Sequence, residues 1–170
     1  SAVKDIFSSQ EFKNLCQENN TTFSSANSIN IGRLFPQIVY YVTTYVNLRN
    51  KGIITENEKF NVVVPTGNFG NILAAFIAKK MGIPIDKLIS ASNENNVLMK
   101  NNTLSVTEDE LTEIQKEFYG DFATENETVD SIKKVYSKFS YLMDPHTAVG
   151  YAVLEKYLKD SGDKTHSVII

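Results

Sequence analysis

An α/β fold built on a parallel βαβ unit, with added helices around it, is what this sequence predicts. Three observations carry that reading. Residues 60–64 (Phe-Asn-Val-Val-Val) are mostly β-branched or aromatic and are followed by Pro65, the pattern of a buried strand. Residues 71–81 are apolar on nearly every side (Ile72, Leu73, Ala75, Phe76, Ile77) and end in Lys79, Lys80, Gly82 and Pro84, so a covered helix runs there and stops. Residues 87–91 read as a second strand, and the short links between the three segments require the two strands to be parallel.

The remaining elements follow in chain order. The first twenty residues suggest two short helices: Ala2, Val3, Ile6 and Phe7 mark the first, and Ser8-Ser9-Gln10-Glu11 is a candidate capping box for the second. Residues 21–29 are polar and irregular. Residues 30–49 become helical and strongly apolar (Leu34, Ile38, Val39, Tyr41, Val42, Tyr45). Pro36 must kink that helix or sit in its first turn, because its ring nitrogen has no proton to donate. Beyond residue 103 the chain turns acidic, with nine carboxylates over 108–130 against the single Lys116. Thr107-Glu108-Asp109-Glu110 and Thr124-Glu125-Asn126-Glu127 are capping boxes, so that stretch reads as solvated helices with acidic first turns rather than as a metal site. Asp144-Pro145 opens a further helix, with aspartate as N-cap and proline at N1. Residues 164–170 lead into a last strand. Two stretches result: 1–98 with the βαβ unit, and 99–170 with the acidic helices, the helix from 145 and the final strand of the same α/β region.

Composition bounds the function. A chain of 170 residues with 42% hydrophobic and 22% charged residues is long enough to build a core. A net charge of −3, without clustered Lys and Arg, argues against a nucleic-acid surface. No apolar run reaches the ~18 residues of a membrane span. The single cysteine, Cys16, permits no intrachain disulfide, which suits a reducing cytoplasm. The chain opens inside a helical pattern without an initiator methionine and closes on a strand, so it is expected to be part of a larger protein, incomplete at both ends.

Three segments can carry chemistry. Thr66-Gly67-Asn68-Phe69-Gly70-Asn71 joins strand to helix, and two glycines there let backbone N–H groups approach an anion at the positive end of the helix dipole. It has neither the G-x-G-x-x-G spacing of a dinucleotide site nor a P-loop. An ordinary βα turn that happens to hold two glycines is the plainer reading of the same residues. Ser24-Ser25-Ala26-Asn27-Ser28-Ile29-Asn30-Ile31-Gly32-Arg33 gathers hydroxyls, amides and a guanidinium ahead of a helix, suited to a phosphate or simply to an N-cap cluster. Asp144-Pro145-His146-Thr147-Ala148-Val149-Gly150 offers one imidazole, although a capped helix start accounts for most of it. His166, ahead of the last strand, reads as structural. A phosphate-sized anion fits the first segment whether it belongs to a cofactor, a nucleotide or another phospho-ligand.

The stretches 25–34, 64–71 and 144–149 stand in the order found in threonine synthase, and Ala91-Ser92-Asn93-Glu94-Asn95 resembles that family's segment after the next strand. The chain therefore resembles the fold-type-II pyridoxal-phosphate enzymes and, within them, the threonine synthase family. The resemblance implies pyridoxal 5'-phosphate as cofactor and a parent reaction that converts O-phospho-L-homoserine and water to L-threonine and phosphate. It implies that Gly67, Asn68, Phe69, Gly70 and Asn71 cradle the cofactor phosphate. Asn27, Ser28 and Arg33 would line the wall that meets the substrate phosphate. It also implies that the Schiff-base lysine lies upstream of this chain and that the hydroxyl partner of the ring nitrogen follows Ile170. Lys79, Lys80 and Lys87 match no family motif and read as surface charges. Near 97–100 the family carries a longer stretch than this chain does. On this reading the remainder of the parent chain is the partner that completes the site. The rival from another class is a non-catalytic phospho-ligand or nucleotide-binding module, or an inactive fragment.

Overall fold

The strand read at 60–64 is one of the two inner strands of a parallel sheet. In the computed structural model, which describes residues 6, 8–22, 30–67, 69–94 and 106–170, β1 (Phe60–Pro65) pairs in parallel with β2 (Ile85–Asn93) on one side and with β4 (Ser167–Ile169) on the other. A third strand, β3 (Phe118–Ala123), extends the sheet beyond β2, giving the order β3-β2-β1-β4. Apart from Ile6, the helix expected before residue 8 lies outside the described residues, as does the segment near 97–100.

Among the described residues there are six helices: α1 (Gln10–Glu18), α2 (Ile31–Asn50), α3 (Gly70–Lys80), α4 (Glu108–Glu117), α5 (Glu125–Phe139) and α6 (Pro145–Ser161). The alternation of β1 sorts them into layers. Val62 and Val64 point to one face, where they share a core with Ile38 and Tyr41 of α2 and with Ile72, Ala74, Ala75 and Ala78 of α3. Val63 points to the other and packs with Ile89 and Ala91 of β2 and Ala152, Val153 and Tyr157 of α6. Both faces of β1 are thus covered, which is why Val62, Val63 and Val64 run as an unbroken apolar stretch instead of alternating with polar residues. Each such side chain contributes about 1.5–3 kcal/mol on burial.

Local chemistry sets the helix ends. Thr107 and Thr124 both form complete capping boxes, each hydroxyl accepting from the N3 amide while Glu110 or Glu127 returns to the cap's own N–H. Helix α5 stops at Ser140 and α6 at Gly162, both in the left-handed region. Pro36 lies inside α2, not in its first turn. Its ring gives no N–H to the Gly32 carbonyl, and in the next residue the Gln37 side chain donates from Nε2 to the Arg33 carbonyl at 2.7 Å. At α1 the expected box is corrected. Ser9, not Ser8, is the N-cap, and its Oγ accepts from Phe12 N at 3.5 Å. That register puts Glu11 at N2, where it cannot close a box.

Another correction concerns the acidic stretch. Residues 108–130 do not form helices alone, because Phe118-Tyr-Gly-Asp-Phe-Ala123 lies between α4 and α5 as β3. Its aromatic residues find partners: Phe118 stacks obliquely on Phe76 of α3, and Tyr119 on Tyr157 of α6.

At the amino edge of the sheet Asp163 ties β1 to the loop between α6 and β4. Its carboxylate accepts from Asn61 Nδ2, Tyr157 Oη and Thr165 N, each at 2.8 Å. Burial works against ionisation there, but the bonds from Thr165, Asn61 and Tyr157 outweigh it and hold the acid well below the usual carboxylate range. The Tyr157 phenol, desolvated and facing that carboxylate, is pushed up to about 12. A carboxylate with a depressed folded-state pKa contributes stability above its unfolded value of about 3.9 and loses it as the pH falls through the folded one. Asp163→Ala should therefore cost about 1–2 kcal/mol at pH 7, at the low end for charged hydrogen bonds because the group is partly solvated. Urea midpoints of variant and wild type should converge as the pH falls below about 4; a constant gap down to acid pH would contradict this.

Candidate active site

Strand β1 delivers its carboxyl end to a turn at the point where the sheet changes direction. Strands β2 and β3 lie on one side of β1 and β4 on the other, so the crevice beside β1 is the topological switch point, where open parallel sheets place ligands. Pro65 pairs with Ala91, and Thr66 N donates to the Ala91 carbonyl at 2.7 Å, pinning the start of the turn to β2. The Thr66 hydroxyl turns back to donate to Val64 O at 2.7 Å, and the residue is buried.

The turn itself is open. A Cβ built on Gly67 would meet nothing within 4 Å, and its φ is not left-handed, so space rather than strain surrounds it. Phe69, the N-cap of α3, has helical dihedrals and no side-chain capping bond, and the first intrahelical bond runs from Leu73 N to Phe69 O. The leading N–H groups of α3 are therefore left to solvent or to a ligand. Residues 60–85 contain no Asp or Glu, so no carboxylate within this unit opposes an anion at that helix end. Asn71, the second residue of α3, has its Oδ1 2.5 Å and its backbone carbonyl 3.0 Å from the hydroxyl of Tyr41 on α2. One strand away Ser92 Oγ is buried without a hydrogen-bond partner among the described residues, an uncommon state for a buried hydroxyl.

Of the residues singled out in the sequence, Gly67, Phe69, Gly70 and Asn71 come together here, while Asn68, Asn27 and Ser28 lie outside the described residues. Arg33 is in the first turn of α2, exposed, eight residues or about 12 Å of helix rise ahead of Tyr41. Lys79, Lys80 and Lys87 lie away from the turn, at the far end of α3 and the start of β2. Reading them as free surface charges needs correction for two. Lys79 donates to Asp86 O and pairs with Glu117, both at 2.5 Å, and is only 20% exposed. Lys87 donates to the carbonyls of Gln115 and Lys116, closing the end of α4.

The 144–150 segment starts α6 on the opposite face. Asp144 caps it, accepting from His146 N at 2.9 Å and Thr147 N at 3.2 Å, while the His146 side chain is solvated. Gly150 allows the close approach: a Cβ there would fall 2.8 Å from Ile169 Cγ2 and 3.2 Å from Pro65 Cγ. The motif therefore seats α6 directly behind the end of β1. Sequence reading found the turn but named Tyr41, Ser92 and Gly150 only as members of larger stretches, and their places at the site acquire meaning only when α2, β2 and α6 are brought to β1.

Comparison with known proteins places this geometry. No protein-family model matches the chain. Serine racemase from Dictyostelium discoideum superposes with a TM-score of 0.58 over 94% of this chain and 55% of its own, at 18% identity, a likeness of fold alone. The crystal structure of PLP-bound threonine synthase from Brucella melitensis superposes with a TM-score of 0.78 at 29% identity, covering 98% of this chain and 44% of that one. The fold is thus that of the fold-type-II pyridoxal-phosphate enzymes. Within that class the chain is similar over nearly its whole length to threonine synthase and to human threonine synthase-like 1, which is 34% identical over 99% of this chain and 30% of its own. The chain spans less than half the length of these two threonine-synthase relatives.

Proposed function

We propose that this chain carries the phosphate-cradling part of the site of a threonine-synthase-like pyridoxal-phosphate enzyme. The observation that carries the reading is the open, uncapped strand–turn–helix at 66–71, beside the switch point, in a chain similar to a threonine synthase solved with that cofactor. The backbone N–H groups at Gly67, Phe69, Gly70 and Asn71, with Asn68, would hold the cofactor phosphate on the axis of α3. The orphaned Ser92 hydroxyl at the same carboxyl edge is a further polar group suited to a bound ligand. Asn27, Ser28 and Arg33 would meet the phosphate of the substrate, O-phospho-L-homoserine. The bound cofactor supplies an electron sink for carbanion chemistry at the substrate. This chain's part is to fix the phosphate and, through α2 and α6, to keep the end of β1 rigid beneath it.

The same geometry favours inactivity of the chain by itself. Lys79 and Lys87 are engaged in structural bonds, and Lys80 pairs with Glu117 at 3.3 Å at the far end of α3, so none is placed to attach a cofactor at the turn. Three charge-assisted bonds to a phosphate are worth roughly 5–9 kcal/mol, while association costs an estimated ~4–15 kcal/mol. Binding should therefore be weak. Equilibrium dialysis against pyridoxal phosphate and against adenosine monophosphate tests the reading, with millimolar binding expected and the pyridoxal compound preferred. Preference for the adenine nucleotide would favour a nucleotide-binding module. Turnover of O-phospho-L-homoserine by the purified 170-residue chain would overturn the claim of inactivity.

A further inference from the structure

We infer that Tyr41 is a positioning residue for the phosphate cradle, acting through Asn71. The inference rests on the reading of the 66–71 turn and adds a residue from a different helix. Tyr41 lies in the middle of α2, fully buried, and reaches α3 thirty residues later in the chain. Its hydroxyl stands 2.5 Å from Asn71 Oδ1 and 3.0 Å from Asn71 O. A phenol has one proton, and the shorter contact takes the larger share of it. Burial pushes the phenol above its ordinary range, so the proton stays in place at any working pH and Tyr41 acts as a permanent donor.

The consequence falls on the asparagine amide. An amide whose oxygen is held by a donor must turn its NH2 the other way. Among the described residues nothing takes up Asn71 Nδ2, although the residue is only half-buried and stands at the second position of the helix that opens the turn. The contact at the Asn71 carbonyl also fixes the first turn of α3 to α2. Tyr41 thus does two things from within the core. It sets which face of the Asn71 amide is offered to the anion, and it stops the leading N–H groups of α3 from swinging. A hydrophobic residue of the same shape would fill the space but set neither.

Two substitutions and their combination test this in the 170-residue chain, read by 15N–1H spectra during titration with inorganic phosphate and with pyridoxal phosphate. Tyr41→Phe should weaken both ligands roughly tenfold, the scale of a hydrogen bond to a charged group. Asn71→Ala should weaken them similarly. The double variant should be weaker than Asn71→Ala alone by clearly less than the tenfold of Tyr41→Phe, since the hydroxyl's contact with the Asn71 carbonyl survives in Asn71→Ala while its contact with the amide oxygen does not. In the wild type the Asn71 side-chain NH2 signals should shift with ligand, whereas in Tyr41→Phe they should stay put while the Gly70 amide still responds. A purely structural tyrosine would lower stability without giving this pattern. Effects that multiply in the double variant, or a Tyr41→Phe chain with wild-type affinity and a responding Asn71 side chain, would overturn the inference. If neither ligand shifts any wild-type turn amide, the reading of the turn fails and the inference fails with it. That outcome is distinct because no variant then has binding to lose.

Discussion

Gly67→Val is expected to abolish binding of pyridoxal phosphate to the turn, by at least about a hundredfold, while leaving the fold within roughly 0.5 kcal/mol of wild type. The two halves of that expectation come from one observation. The position where a Cβ would stand is empty to 4 Å, and the backbone there is not left-handed, so the free protein has room for the side chain. On the proposed reading, that empty space receives the phosphate held by the N–H groups of the turn and of α3. Valine's two methyl groups would fill it and exclude the anion without disturbing the core. Gly70→Val, at the first position of α3, should act in the same direction. Urea denaturation and ligand titration on the same samples check the prediction. A Gly67→Val chain that retains wild-type affinity would remove the turn from the site, and one that fails to fold would show that the glycine serves the backbone instead.

The largest stability effect is expected at Gly150. Glycine inside a helix costs up to about 1 kcal/mol relative to alanine, so its presence in α6 calls for a reason. The reason is contact: an added Cβ would lie 2.8 Å from the branched Ile169 side chain and 3.2 Å from the Pro65 ring, and Val63 is next at 3.6 Å. Neither a β-branched side chain nor a proline ring can move aside cheaply. Gly150→Ala should therefore destabilise by about 1–2 kcal/mol, the ~1–3 kcal/mol of overpacking less part of the helix gain, and Gly150→Val by at least about 3 kcal/mol. Strand β4 is three residues long and at the edge, so it should yield first. Hydrogen exchange at Ile170, whose N–H donates to Val63 O at 3.0 Å, should speed up more than the global loss of stability requires. Unchanged protection there would mean that α6 shifts as a unit instead. Because Pro65 immediately precedes the turn, the same variant should also loosen the phosphate cradle.

What could be read from the sequence was whatever depends on near neighbours in the chain. The strand–turn–helix at 60–81, the two threonine capping boxes and the Asp144-Pro145 helix start are each specified within a few residues, and each stands where the pattern put it. Strand β3 was hidden because its six residues sit in an acidic run. Their pairing with β2, and the cover from Phe76 and Tyr157, come from distant segments. The switch point could not be read either, since a βαβ pattern fixes strand direction but not the order β3-β2-β1-β4. In the site, the glycines announced themselves by spacing. Asn71 was named only as part of the cradle, and the approach of α2 reveals that its oxygen is already held by Tyr41. Lys79 looked solvated until Glu117 and Asp86 O closed on it.

The central claim is that the 66–71 turn is a phosphate cradle for pyridoxal phosphate. Its most direct test is a map of amide shifts in the labelled chain during titration with that compound. The account predicts that the responding amides are those of Gly67, Phe69, Gly70 and Asn71, with Ser92 beside them. Shifts confined to the charged cleft between α5 and α6, where Glu127, Ser131, Lys134 and Lys156 meet, or no shifts at all, would contradict it.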